Sequence, residues 1–305
     1  MKKITLLIAI AVSFTAISCK TENKETPAET VSEETSSHQI VSLNGAITET
    51  IAALGKGDQI VGRDVTSTYP ADLTAKDLGH VGRNMTIEGI MAVNPSLIIG
   101  SENDSNPELM KRIEESGIKT EIISQEFSVD GAKNLIKQVA EIIGANEYQN
   151  LYDKIDADIA QIQNFEKKPK VLFIYARGAN MLNVSGTGTP MDALIKIAGA
   201  ENAITEFADF KPLTPESLIQ GNPDVILMFE TGVQSLGGND GIFKVPGVEQ
   251  TNAGKNKAII TMDGGLISNF GPRVGEAALE LNKKLMEVTK QLNFQDLSAR
   301  NLAGL

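Results

Sequence analysis

The sequence predicts an α/β protein of two Rossmann-like lobes with parallel sheets, joined by one long rigid helix and holding a ligand cleft between them. Three observations predict it. First, one stretch occurs twice: Met85–Ile99 (MTIEGIMAVNPSLII) and Leu213–Leu227 (LTPESLIQGNPDVIL) align without a gap, 128 residues apart. Each copy reads as a capped helix, an Asn-Pro turn and a buried strand. The spacing indicates duplicated lobes, because solenoid units recur every ~20–50 residues. Second, the first half alternates helix then strand, the order that gives a parallel sheet with right-handed crossovers. Third, residues 147–165 carry Leu151, Ile155, Ile159 and Ile162 at three- and four-residue spacing on a polar background. That is a helical strut of roughly 28 Å at 1.5 Å per residue.

The elements follow in order. An apolar strand over 39–43 meets Asn44-Gly45 and a helix over 47–54, and a strand lies near 60–62. The first duplicate gives a helix over 86–93 and a strand over 97–99. A helix over 108–115, a strand over 120–123 and a helix over 129–143 close the first lobe. After the strut, Lys167, Lys168 and Pro169 stop the helix, and strands at 170–174 and 181–184 open the second lobe. A helix over 191–198, the second duplicate, a Gly-rich loop at 235–241, a strand over 258–262 and a helix over 274–292 complete it.

The ends and the composition narrow the function. Met1–Ser18 has two lysines and an apolar run of about 14 residues, too short to cross ~30 Å of hydrocarbon, so it reads as an export signal peptide. It ends Ala16-Ile17-Ser18-Cys19, which resembles the lipobox of bacterial lipoproteins, and Cys19 is then the acylated membrane anchor. Residues 19–37 are almost wholly Lys, Glu, Thr, Ser, Asn, Pro and Ala and form a flexible acidic tether. The expected divisions are 1–18 signal peptide, 19–37 tether, 38–145 N-terminal lobe, 146–168 connecting helix and 169–305 C-terminal lobe. A net charge of −11 with no Lys/Arg cluster argues against a nucleic-acid partner. Gly55-Lys56-Gly57 precedes its strand, and Gly186-Thr187-Gly188 lacks a third glycine and is followed by Pro190, so neither makes a dinucleotide site.

Five segments carry a family likeness: Val41–Glu49 (VSLNGAITE), Arg63–Pro70 (RDVTSTYP), Lys211–Leu218 (KPLTPESL), Ser235–Gly241 (SLGGNDG) and Asn269–Arg273 (NFGPR). Together they make the chain similar to the haem-binding proteins of bacterial ABC importers, over nearly all of 38–292. The wider class includes cobalamin and ferric-siderophore binders, which stand as the alternative cargoes. The resemblance implies a monomeric, extracytoplasmic, membrane-anchored lipoprotein, periplasmic or on the outer face of the cytoplasmic membrane. It would capture haem b (hemin) as transported ligand and deliver it to an ABC permease dimer with its ATPase. It implies no enzyme activity. A carboxylate- or metal-dependent enzyme is the rival from another class, and no paired motif supports it.

The same resemblance assigns the site. Relatives ligate haem iron through a Tyr in a Gly-Tyr-x-Arg segment, and this chain reads Gly79-His80-Val81-Gly82-Arg83, so His80 takes the tyrosine's place. Neutral imidazole is a good axial ligand, and it is lost in acid because the protonated ring has no lone pair. Tyr69 is the fallback oxygen ligand, although Pro70 beside it suggests a simple turn. Met181 is a candidate second ligand, although its place on an apolar strand favours core packing. Arg83, Arg177 and Arg273 are the candidate propionate partners, since guanidinium suits carboxylates. Glu88 and Glu216 fill the same slot of the two duplicates. Each suits a helix first turn, and in relatives one exposed Glu per lobe docks on the two permease subunits.

Overall fold

The computed structural model describes residues 38–104 and 106–303 of the chain; Cys19, the signal peptide and the tether lie outside the described residues. The first half contains β1 (Ile40–Ser42), α1 (Gly45–Ala53), β2 (Ile60–Arg63), β3 (Lys76–Asp77), α2 (Ile87–Met91), β4 (Leu97–Ser101), α3 (Pro107–Glu115), β5 (Lys119–Ile123) and α4 (Val129–Ile143). Then come α5 (Gln149–Ile159), β6 (Lys170–Ala176), β7 (Leu182–Ser185), α6 (Pro190–Ile197), β8 (Glu201–Asn202), β9 (Phe210–Pro212), α7 (Pro215–Gly221) and β10 (Val225–Phe229). The chain continues through α8 (Glu230–Ser235), α9 (Asn239–Phe243), α10 (Asn252–Asn256), β11 (Ile259–Met262), α11 (Gly264–Ser268) and α12 (Val274–Ala303).

Two sheets result. The first has the order β3-β2-β1-β4-β5 and every pairing in it is parallel. Its central strands β1 and β4 are covered on both faces, as their unbroken apolar runs require: Ile40, Leu97 and Ile99 enter one core, Val41 and Ile98 the other. The second sheet, β11-β10-β6-β7-β9 with β8 beside β6, repeats the device. Val171, Phe173, Val225 and Leu227 face one core, and Leu172, Ile174, Ile226 and Met228 the other. It is mixed, because β7 runs antiparallel to both β6 and β9. The reversal is local. Gly178 takes φ 74°, its carbonyl accepts from the Met181 N–H at 3.2 Å, and a tight hairpin replaces the helical crossover that a parallel neighbour needs.

The connection between the sheets is not a single helix over 147–165. α5 stops at Ile159, because Asn282 of α12 claims the following segment: its Oδ1 accepts from the Gln163 N–H at 3.1 Å and its Nδ2 donates to the Gln163 carbonyl at 2.9 Å. Three helices therefore make the junction. α4 is capped by Ser128, whose Oγ accepts from the Gly131 N–H, and by Gly144 at φ 67°. It sends Leu135, Val139 and Ile143 into the first half's core and Ala132 and Ile136 into the second's. The Tyr152 hydroxyl of α5 donates to the Lys133 carbonyl at 2.7 Å, and Lys133 pairs with Asp156 at 2.5 Å. α12 crosses α5 closely at Gly275, where a Cβ would meet the Ile155 carbonyl oxygen at 2.8 Å.

Candidate functional site

The loops that leave β1, β2, β3 and β4 gather at the C-terminal edge of the first sheet. There the strand order reverses between β1 and β4, the place where open α/β sheets form a crevice. A cavity of about 340 Å3 lies there, lined by Leu43, Asp64, Thr66, His80, Val81, Gly82, Asn103, Asn106 and Pro107. His80 is thus at a cavity, and the chain around it shows how it is held. Leu78 N–H donates to the Arg63 carbonyl and Val65 N–H to the Gly79 carbonyl, both at 2.9 Å, so the segment runs beside the end of β2. Gly79 (φ 92°) and Gly82 (φ 81°) then turn the backbone. The His80 carbonyl accepts from the N–H groups of Arg83, Asn84 and Met85, and the His80 N–H donates to Asn84 Oδ1 at 2.8 Å.

The ring is oriented as well. His80 Nδ1 lies 2.5 Å from the Val81 carbonyl oxygen, and a carbonyl only accepts, so Nδ1 carries the proton. In the neutral ring Nε2 then keeps the lone pair, the arrangement in which an outer hydrogen bond fixes the tautomer of a metal-binding imidazole. Asp64 is almost fully buried beside it. Its carboxylate accepts from the Thr66 N–H at 2.8 Å and from the hydroxyls of Thr66 and Ser67, three bonds made inside its own loop.

Of the expected ligand residues, His80 alone lines this cavity. Arg83 is exposed on the same turn, three residues on. Arg177 is exposed at the end of β6, 5.8 Å over the Tyr175 ring, with Met181 at the far side of the hairpin. Met181 is 48% exposed, which overturns its expected core packing: the hairpin lifts it off the sheet. A second hollow of about 580 Å3 is lined from both halves, by Asn103 and residues 125–128 on one side and by Gly188, Thr189, Asp192, Ala193, Lys196 and Ile197 on the other. None of the expected ligand residues lines it.

Arg273 has another occupation. Its Nε donates to Glu49 Oε2 at 2.9 Å and its Nη2 to Oε1 at 2.6 Å, a two-pronged pair with a carboxylate that is 3% exposed. The Tyr69 ring stacks on the guanidinium with its centroid 3.7 Å away. Burial opposes the Arg273 charge, but the hydrogen bonds and charge of Glu49 outweigh it and raise the pKa above its ordinary value. The network continues across the junction. Asn269 Nδ2 donates to Glu49 Oε1 at 2.8 Å, Gln125 Nε2 to the Asn269 carbonyl at 2.7 Å, and Asn44 Nδ2 to Gln125 Oε1 at 3.2 Å. The expected propionate partner is therefore a clamp between α1 and the start of α12, with Tyr69 packed on it.

The sequence model described as "Periplasmic binding protein" matches residues 40–266, which take in all the strands of both sheets. The chain belongs to that family. Its fold is similar to that of the periplasmic heme-binding protein RhuT from Roseiflexus sp. RS-1 in apo form, with a TM-score of 0.78 and 36% identity over 82% of this chain and 98% of that one. In sequence it is 26% identical, over 81% of its length and 79% of the relative's, to the uncharacterized ABC transporter substrate-binding lipoprotein YvrC of Bacillus subtilis. It is 25% identical to the vitamin B12-binding protein of Vibrio campbellii over 62% of this chain and 69% of that one.

In this periplasmic binding protein the two duplicated glutamates sit alike. Glu88 follows the N-cap Thr86 in α2 and Glu216 follows Thr214 in α7, and both are exposed. Capping does not need them: Thr86 Oγ1 accepts from the Gly89 N–H, and Thr214 and Ser217 form a capping box. Sequence reasoning missed Glu49, Asp64, Asn103 and Asn106. Glu49 left one signal, a lone carboxylate in the otherwise uncharged helix run 45–53.

Proposed function

We propose that this chain is a haem carrier of an ABC importer: it holds hemin at the His80 turn and hands it to a dimeric permease. The observation that carries the reading is the oriented imidazole. With Nδ1 tied to the Val81 carbonyl, Nε2 is the one lone pair His80 offers to iron, and the ring lines a cavity at the mouth of the first sheet. The likeness to a heme-binding protein at 36% identity supports haem as the cargo. Arg83 and Arg177 are the propionate partners in this reading, since both are exposed and, among the described residues, neither is tied up in an ion pair. Tyr69 is the fallback ligand and Met181, exposed across the hairpin, the second one. Glu88 and Glu216 dock on the two permease subunits. Cys19 carries the lipid that tethers the protein to a membrane, in the periplasm or on the outer face of the cytoplasmic membrane, in keeping with a relative described as a lipoprotein.

Cobalamin is the second reading, favoured by the vitamin B12-binding relative. An absorption titration of residues 38–305 with hemin, run beside His80→Ala and Tyr69→Phe, separates them. The expected result is a saturable Soret band in the wild type that shifts and weakens at least about ten-fold in His80→Ala. A band that Tyr69→Phe alone displaces moves the ligand to Tyr69. No band, with cyanocobalamin binding by calorimetry, replaces haem with cobalamin.

A further inference from the structure

The duplicated unit keeps more than its sequence. Its two N-caps have the same backbone, Thr86 at φ −124° and ψ 154° and Thr214 at φ −123° and ψ 151°. Both copies turn into their strand through a left-handed Asn, Asn94 at φ 50° and Asn222 at φ 38°. Burial repeats as well: Ile90 and Leu218 are fully buried, while the next residues, Met91 and Ile219, are each 46% exposed. Positions 88 and 91, and likewise 216 and 219, are three apart and so neighbours on one helix surface. Among the described residues no ion pair or hydrogen bond engages the Glu88 or Glu216 carboxylate. A large apolar side chain left half in water at one register of both copies does nothing for either core. Its matched place beside a free carboxylate is what an interface residue shows.

We infer that Met91 and Ile219 are the apolar halves of two matched contact faces, each pairing with the glutamate one turn earlier. The partner they fit is a two-fold pair of subunits that each present a cation flanked by an apolar patch. A two-fold partner meets two like faces only if both lobes offer the same chemistry at the same register, and α2 and α7 do. The inference rests on the reading that Glu88 and Glu216 dock on the permease. It adds that charge fixes register and approach, while the desolvated Met91 and Ile219 carry much of the affinity, as central apolar contacts do at interfaces.

The test uses the cognate permease–ATPase complex in liposomes. ATP hydrolysis is measured against concentration of hemin-loaded wild type, of Met91→Gln/Ile219→Gln and of Glu88→Gln/Glu216→Gln, with hemin affinity and melting temperature as controls. The expected result is a half-stimulating concentration raised about ten-fold or more in the Met91/Ile219 variant, with hemin affinity unchanged. A shift smaller than about two-fold there, while the Glu88/Glu216 variant loses stimulation, overturns the inference and leaves the docking reading standing. Full stimulation by the Glu88/Glu216 variant overturns the docking reading itself, and loss confined to the Met91/Ile219 variant overturns the pairing of the two.

Discussion

Glu49 and Arg273 show at the level of single residues how a guanidinium is tied into architecture. A carboxylate this deeply buried needs a cation and several donors to offset its desolvation, and Arg273 and Asn269 supply them together. Removing one partner strands the other. Glu49→Ala should therefore lower stability by about 3 kcal/mol, while Glu49→Leu/Arg273→Met should lose less than that single change, because no buried charge is left alone. Urea unfolding of the three proteins measures both. The direction of the pKa shift decides how Arg273's own contribution depends on pH. A folded-state value raised above the unfolded one gives stability that is complete below the unfolded value and lost only as pH rises through the folded one, here in strong alkali. His80 shows the opposite economy. A single backbone carbonyl sets its tautomer, and two glycines at positive φ set where the ring stands.

At the scale of elements, local chemistry decided some boundaries and distant contacts decided others. α4 runs over 129–143 as its sequence predicts, because Ser128 and Gly144 carry both caps within the segment itself. α5 falls short of its apolar pattern, because Asn282, more than a hundred residues away, takes the backbone groups of Gln163. β3 and β9 were not legible at all. Lys76 and Asp77 are polar and exposed, and Phe210–Pro212 is an exposed three-residue edge, so neither offers a hydrophobic period to read. The Gly-rich stretch at 235–241 holds the end of α8 and the start of α9, where a loop was expected.

Two predictions belong to this helical junction. Gly275→Ala gains up to ~1 kcal/mol of helix propensity but drives a methyl into the Ile155 carbonyl, so the net change should be a loss of roughly 1–3 kcal/mol, seen as a lower melting temperature. Burial, then the neighbouring Tyr148 and Glu141, hold the Tyr152 phenol above its ordinary 10.0. A raised value means that this contribution is complete below the unfolded pKa and lost as pH climbs through the folded one. Wild type should lose stability above about pH 10 through this group. Tyr152→Phe should be less stable by about 1 kcal/mol at neutral pH, having lost the bond to Lys133, and flatter in alkali. Denaturant midpoints from neutral pH to pH 11 read out both effects.

For the molecule as a whole, the two sheets are not independent bodies. The described residues all belong to one compact unit, and Ala132 and Ile136 of α4 are buried in the core of the second sheet. Phe127 meets Phe270 edge-on at 5.4 Å across the same junction. Calorimetry of residues 38–305 should show a single transition with calorimetric and van't Hoff enthalpies equal. A fragment of 38–145, the expected N-terminal lobe, should not fold alone, because α4 would expose Ala132 and Ile136; two separated transitions or a cooperatively folding fragment would contradict this.

By itself the sequence determined the α/β class, the duplicated helix-turn-strand unit, the His80 turn between glycines and the paired glutamates. Each is written in short-range order: a hydrophobic period, a cap, a glycine that only one backbone conformation requires. Only the tertiary structure decided that α5 yields to Asn282. It also decided that Arg273 closes on Glu49, and that Met91 and Ile219 stand exposed while Ile90 and Leu218 just before them are buried. Those outcomes depend on which groups meet across 100 residues or more, and on how much water each keeps, and nothing in a local stretch of chain encodes either.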